Sequence, residues 1–252
     1  MFEFDDVKVC YGGACAVNHV SFTLAPGEIV GLFGENGAGK TTLMKAALGF
    51  LPLSGGTVKL DGIRPGPANY ERIAYAASSN TFFGGLTAKE HLEFYRMQFP
   101  KFDGNRFRLL MEFFEIPEKK AVRTLSAGQK NQFETILALS QGADYIFMDE
   151  PFAGNDLFNR EDFYKVLLGM LGPTECLMIS THLVEEIKHV IGRALLMKKG
   201  QLIGDITTEQ LEEEGTDLAD WVRNCYHYQA DRVAKALQSA SADGRRGDGY
   251  DS

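Results

Sequence analysis

GENGAGKTT, residues 34–42, is the stretch on which the fold turns. It matches the pattern G-x-x-x-x-G-K-[ST]. The preceding EIVGLF, residues 28–33, is an apolar run fit for a central strand, and residues 40–48 read as a helix that Gly49 ends. A glycine-rich turn formed by chance would lack this strand-loop-helix frame. Glycines let backbone N–H groups approach phosphate oxygens with no Cβ in the way, and the helix N-terminus adds partial positive charge. The candidate nucleotide-binding residues are therefore Gly34, Glu35, Asn36, Gly37, Ala38, Gly39, Lys40, Thr41 and Thr42. Lys40 is expected to reach the β- and γ-phosphates, and the Thr41 hydroxyl to bind Mg²⁺.

A phosphate loop of this kind needs a second metal carboxylate, and YIFMDEP, residues 145–151, supplies one. Four mostly apolar residues run directly into Asp149 and Glu150. Successive strand side chains point to opposite faces, so adjacent acids are free to serve different tasks. Asp149 is expected to face Mg²⁺, through water. Glu150 is expected to face the γ-phosphate and act as general base on the attacking water.

Around these motifs the chain alternates. Strand-like pieces cover 2–9, 20–24, 57–62 and 73–77, with a turn at Pro26 and Gly27. From Thr87 to about Ser140 the pattern is helical, broken by Pro100 and Pro117. Strands return at 145–148, 176–180 and 194–197, with helical stretches near 156–171 and 183–190. Strand-helix alternation around a helical insertion predicts a mostly parallel sheet with helices on its faces. LSAGQ, residues 125–129, begins a helix with Ser126 as its N-cap and leaves the first N–H groups exposed for an anion. The segments TTEQLEEEG and ADWVRNCYHYQADRVAKALQ look helical and amphipathic. The polar, glycine-rich end from Ser241 has the composition of a disordered segment.

Composition sets the outer bounds. The chain has 252 residues, 44 % hydrophobic and 24 % charged, with a formal net charge of −8. A duplex-binding surface would leave an excess of Lys and Arg, so nucleic acid is not an expected partner. The cysteines Cys10, Cys15, Cys176 and Cys225 show no CxxC pairing and are expected to be reduced thiols. The acidic, alternating start is unlike a signal peptide, and no apolar run reaches the ~20 residues needed to span a bilayer. A cytoplasmic protein is expected, held at the membrane only through a partner.

Together GENGAGKTT, LSAGQ, FMDEP and STH (180–182) resemble, in order and spacing over about residues 1–205, the ATP-binding subunit of ABC transporters. The resemblance implies an α/β fold: a P-loop NTPase core with a mostly parallel sheet, an N-terminal antiparallel β subdomain and a helical subdomain at about 86–144. It bounds the ATP-binding domain at 1–215, with a C-terminal helical extension at 216–252. ATP and Mg²⁺ are the implied cofactors. The implied partners are a separate membrane-spanning permease, docked on the helical subdomain, and a second ATPase subunit, identical or different. In the implied head-to-tail dimer Ser126, Gly128 and Gln129 act across the interface on the other subunit's ATP, and the segment 153–156 carries Asp156 to the same interface. Tyr11 stands where the family stacks an aromatic on adenine, and Val17 lines the same pocket. His182 stands at the switch histidine that meets the γ-phosphate.

Two departures from the family pattern carry information. The family's metal-binding Gln after IAYAA is replaced by Ser78, whose shorter side chain reaches Mg²⁺ only through an additional water, with Ser79 and Asn80 as substitutes if the loop shifts. The helix after LSAGQ lacks the usual arginines and small residues and carries Phe133 and Glu134 instead. The resulting expectation is an export-type motor subunit. The alternative is a slow or non-hydrolysing ATP-gated subunit.

Overall fold

A computed structural model describes residues 1–78, 81–151 and 157–226. Ser79, Asn80, Asp156 with its segment 153–156, and the sequence beyond 226 lie outside these residues. The chain opens with β1 (Phe2–Tyr11), β2 (Ala14–Leu24), β3 (Ile29–Phe33), α1 (Lys40–Ala47), β4 (Gly55–Leu60) and β5 (Ile73–Ala76). Three helices follow: α2 (Ala88–Gln98), α3 (Gly104–Phe113) and α4 (Ala127–Ser140). Alternation resumes with β6 (Tyr145–Asp149), α5 (Leu157–Met170), β7 (Cys176–Thr181), α6 (Val184–Ile187) and β8 (Arg193–Lys198). Next come β9 (Gln201–Thr207), α7 (Thr208–Glu213) and α8 (Leu218–Cys225).

The core sheet runs β5-β6-β7-β3-β8-β9, parallel except for β9, which pairs antiparallel to β8. Both of its faces are covered. On β6, Tyr145 and Phe147 pack toward α1 and the N-terminal sheet, while Ile146 and Met148 pack toward α4 and the other helices. Coverage on both sides is why these strands read as unbroken apolar runs. β9 escaped the sequence reading because it is a half-exposed edge strand. Its signal was the turn before it: Lys199 and Gly200 have φ of 48° and 81°, the pair of positive values a tight hairpin needs.

The second sheet is antiparallel, ordered β2-β1-β4. β2 starts well before the expected residue 20, because Gly12 and Gly13 (φ 52° and 93°) fold β1 directly back onto it. That register also corrects the cysteine expectation. Cys10 and Cys15 are cross-strand partners, and their sulfurs are bonded at 2.07 Å. Cys176 and Cys225 are free. A pair five residues apart in sequence looks unrelated until a hairpin sets its members opposite each other.

The helical subdomain is fixed by its caps. Thr87 and Glu90 form a capping box on α2, Asp103 accepts from the N–H groups of Asn105 and Arg106, and Ser126 and Gln129 form a second box on α4. Phe107 and Phe133 are buried in one core, and Phe102 and Phe114 pack against that core. Phe94, Phe113 and, in the loop before α2, Phe83 are exposed, as is Met97 at 87 %. The expected boundary after residue 215 falls between α7 and α8, yet Leu211 and Leu218 enter one core, so packing continues across it.

His91 on α2 is fully buried. Its Nδ1 donates to the Thr87 carbonyl at 2.8 Å and its Nε2 accepts the Phe83 N–H at 3.1 Å. Burial holds the imidazole below its ordinary pKa of 6.5. The unfolded chain therefore takes up the proton first, and stability falls as pH drops below 6.5. Thermal unfolding followed from pH 7.5 to 5.5 is expected to show a smaller loss of Tm in His91→Gln than in wild type. An equal loss would show that His91 does not set this dependence.

Candidate nucleotide-binding site

The strand order places β3 between β7 and β8 and puts β6 beside β7. The phosphate loop leaves the carboxyl end of β3, Asp149 closes β6, His182 follows β7 and Ser78 follows β5. Sequence-distant residues thus meet along one edge of the sheet, where parallel α/β sheets hold ligands.

Within the loop, Gly39 caps α1 with φ 107°, and a Cβ there would lie 2.2 Å from the Ala16 carbonyl oxygen. Only glycine fits. Lys40 is 6 % exposed; its Nζ donates to the Gly34 carbonyl at 2.7 Å and the Glu35 carbonyl at 3.3 Å. The same Nζ lies 3.5 Å from Glu150 Oε1. The lysine is thus held over its own loop by two carbonyls and one carboxylate.

The two acids do not face opposite ways, which corrects the expectation from strand alternation. β6 ends at Asp149, and Glu150 has φ 48°, in the left-handed region. This turn brings both carboxylates to the same end of α1. Asp149 is fully buried and accepts from Thr41 Oγ1 at 2.8 Å, Ser78 Oγ at 3.2 Å and Ser180 Oγ at 2.6 Å. Glu150 meets Lys40, and His182 Nδ1 lies 3.2 Å from each of its carboxylate oxygens. The Glu150 N–H donates to the carbonyl and hydroxyl of Ser180, at 3.1 and 3.2 Å, fixing the left-handed turn. A non-glycine residue held in that region is costly and recurs at functional sites.

Thr41, Ser78 and Asp149 form a set of hard oxygens converging on Asp149 Oδ2, the donor chemistry that suits Mg²⁺. Among the described residues no group of three or more His, Cys, Asp or Glu is placed to hold a metal unaided. The set fits an ion that takes its remaining ligands from phosphate oxygens and water.

The other expected residues fall in two places. Tyr11 ends β1 and is 53 % exposed, free to offer its ring to a planar partner. Val17 is fully buried in the core between the sheets, which corrects its placement in an open pocket. Ser126 and Gln129 sit at the start of α4, and their side chains bond to each other's backbone N–H. Gly128 is in the first turn of the same helix.

Sequence reasoning misses Ser180, although it opens the STH motif, and Tyr75. The Tyr75 hydroxyl is buried close to Asp149; burial first, and the Asp149 charge second, push its pKa up. Tyr226 was missed too: its hydroxyl accepts the Glu35 N–H at 3.3 Å and donates to the Met197 carbonyl at 3.1 Å, bracing the loop from behind. No local pattern marks a tyrosine so far along the chain.

Residues 17–153 match the family described as ABC transporter. The chain is 30 % identical to the ABC transporter ATP-binding protein YtrB of Bacillus subtilis, covering 85 % of this chain and 74 % of that protein. It is also 30 % identical to the SkfA peptide export ATP-binding protein SkfE of the same organism, covering 88 % and 93 %. With the Nod factor export ATP-binding protein I of Paraburkholderia xenovorans it shares 31 % identity over 81 % and 69 %. In fold it is similar to a solved ATP-binding subunit of an ABC transporter, at TM-score 0.79, 21 % identity and coverage of 90 % and 99 %. It is also similar to the dimeric post-hydrolysis state of an ATP-binding cassette bound to ADP and Pi, at TM-score 0.71, 20 % identity and coverage of 82 % and 98 %. The carboxylates, hydroxyls and lysine gathered around the phosphate loop thus sit in a known frame: the chain belongs to the ABC transporter family, as one of its ATP-binding subunits.

Proposed function

We propose that this chain is the motor subunit of an exporter, binding ATP at residues 34–42 and hydrolysing it with Glu150 as general base. The observation that carries this reading is the convergence of Lys40, Glu150 and His182 beside the Thr41–Asp149–Ser78 oxygens. Loop N–H groups and Lys40 would bind the phosphates. Glu150 would take the proton from a water as it attacks the γ-phosphorus and ADP leaves. His182, within reach of Glu150, would orient that carboxylate and meet the γ-phosphate. Tyr11 would stack on adenine. Mg²⁺, held by Thr41 and Asp149 and at longer reach by Ser78, would neutralise charge building on the transferred phosphoryl group.

ATP-binding subunits of this family pair with membrane permeases and form dimers. Among the described residues no helix is long and apolar enough to cross a membrane. The exposed Phe83, Phe94 and Met97 offer an apolar surface for a permease, which would hold this chain at the inner face of the membrane. Ser126, Gly128 and Gln129, at an exposed helix start, would complete the partner subunit's site. Export is favoured because SkfE and the Nod factor protein are export ATP-binding proteins by name.

ATP turnover by the purified chain, measured against protein concentration, tests the dimeric motor. A rate rising faster than linearly is expected. A strictly linear rate would reject catalysis shared between two copies, and tight ATP binding with no turnover, alone or with its permease, would favour the ATP-gated alternative.

Ser78→Gln is expected to lower the Mg²⁺ concentration at half-maximal turnover, because glutamine extends the oxygen ligand that Ser78 presents too short. An unchanged Mg²⁺ dependence and turnover would show that the serine is no handicap.

A further inference from the structure

One peptide unit of the phosphate loop is held at both ends. The Gly34 carbonyl and the Glu35 N–H belong to the same planar group and point in opposite directions. The carbonyl accepts from Lys40 Nζ at 2.7 Å, and the N–H donates to the Tyr226 hydroxyl at 3.3 Å. The hydroxyl has a single proton, which it donates to the Met197 carbonyl of β8 at 3.1 Å. Tyr226 therefore presents a lone pair to the loop.

The peptide needs such a hold. A Cβ on Gly34 would stand 2.7 Å from the Met197 carbonyl oxygen, so the position is restricted to glycine, whose backbone rotates most freely. Glu35 lies outside strand and helix, so no ladder hydrogen bond fixes it. Rotation of the Gly34–Glu35 peptide would carry its carbonyl away from Lys40.

Tyr226 is itself firmly seated. It follows α8, which Asp217 caps and whose Leu218 enters the main core. Trp221 of the same helix lies against β9, where a Cβ on Gly204 would meet its ring at 2.6 Å. The Lys198 ammonium sits 5.0 Å from the centre of the Tyr226 ring and donates to the Tyr226 carbonyl at 3.4 Å. A phenylalanine would fill the same space. Only the hydroxyl reaches the loop.

We infer that Tyr226 is a positioning residue for nucleotide binding: its hydroxyl sets the Gly34–Glu35 peptide, and through that peptide's carbonyl it keeps Lys40 ordered over the loop. This rests on residues 34–42 being the phosphate site. A lysine already ordered loses less rotamer freedom when phosphate arrives. The docking of α8 and the binding of ATP are then linked, each favouring the other.

The test compares wild type, Tyr226→Phe, Lys40→Ala and the double variant, all in the full chain. Tyr226→Phe removes one oxygen and keeps the ring. Hydrogen exchange at the Glu35 amide of the nucleotide-free protein is expected to speed up about tenfold. ATP affinity, by calorimetric titration, is expected to fall about fivefold, the scale of one net hydrogen bond. Turnover at saturating ATP is expected to stay within about twofold of wild type, because bound phosphate then fixes the loop itself. In the Lys40→Ala background the same substitution is expected to change ATP affinity by less than about 1.5-fold, since no lysine is left to order.

Unchanged exchange at Glu35 would overturn the hold on the peptide. Wild-type ATP affinity in Tyr226→Phe would overturn its part in binding. The same loss of affinity with and without Lys40, the result for a tyrosine that merely supports the fold, would overturn the route through the lysine. Lys40→Ala binding ATP as tightly as wild type would instead reject the site reading, and this inference with it.

Discussion

Glu150→Gln is expected to lower ATP turnover by about 10²–10⁴-fold, the usual range for losing a general base, while ATP binding survives. The amide keeps the size of the side chain and an oxygen for Lys40 Nζ, which lies 3.5 Å from the carboxylate. The Glu150 N–H still bonds Ser180, so the left-handed turn at φ 48° need not relax. What disappears is the acceptor for the water's proton. Filter-binding or fluorescent-nucleotide affinity measured beside phosphate release separates the two effects. Retained turnover would assign proton transfer to another group, with His182 first in line at 3.2 Å.

Lys40→Ala is expected to fail earlier, at binding. Its ammonium is buried and held by the Gly34 and Glu35 carbonyls, poised to exchange them for phosphate oxygens. Removing it deletes a charge-assisted donor worth about 1.5–3 kcal/mol, or roughly 10–100-fold in ATP affinity. It also leaves Glu150 without its 3.5 Å cation in a partly buried site. Turnover at saturating ATP is expected to fall by about 10²–10³-fold, because the same cation would stabilise transition-state charge. Calorimetric titration of ATP distinguishes the variants: Glu150→Gln should titrate normally and Lys40→Ala weakly. Equal, unimpaired titration curves would remove Lys40 from the phosphate site.

The amino-acid sequence by itself determined whatever rests on local physics. A glycine-rich loop between an apolar run and a helix announced a phosphate site, since Gly39 occupies a backbone conformation and a space closed to other residues. Ser126 signalled its helix start because capping is a matter of neighbouring N–H groups. The apolar runs at 29–33, 145–148 and 176–180 signalled strands covered on both faces. The tertiary structure decided whatever depends on who stands opposite whom. Cys10 and Cys15 meet because a Gly-Gly turn sets the register, and Val17 is shut away from solvent because a second sheet packs over it. Asp149 and Glu150 share one site because Ser180, on the adjacent strand, holds the second acid in a left-handed turn. Glu134 finds its hydrogen-bond partner only when Thr81, 53 residues earlier, folds against it. Local backbone preference is written in neighbouring residues, whereas a buried polar group takes its meaning from partners that only folding delivers.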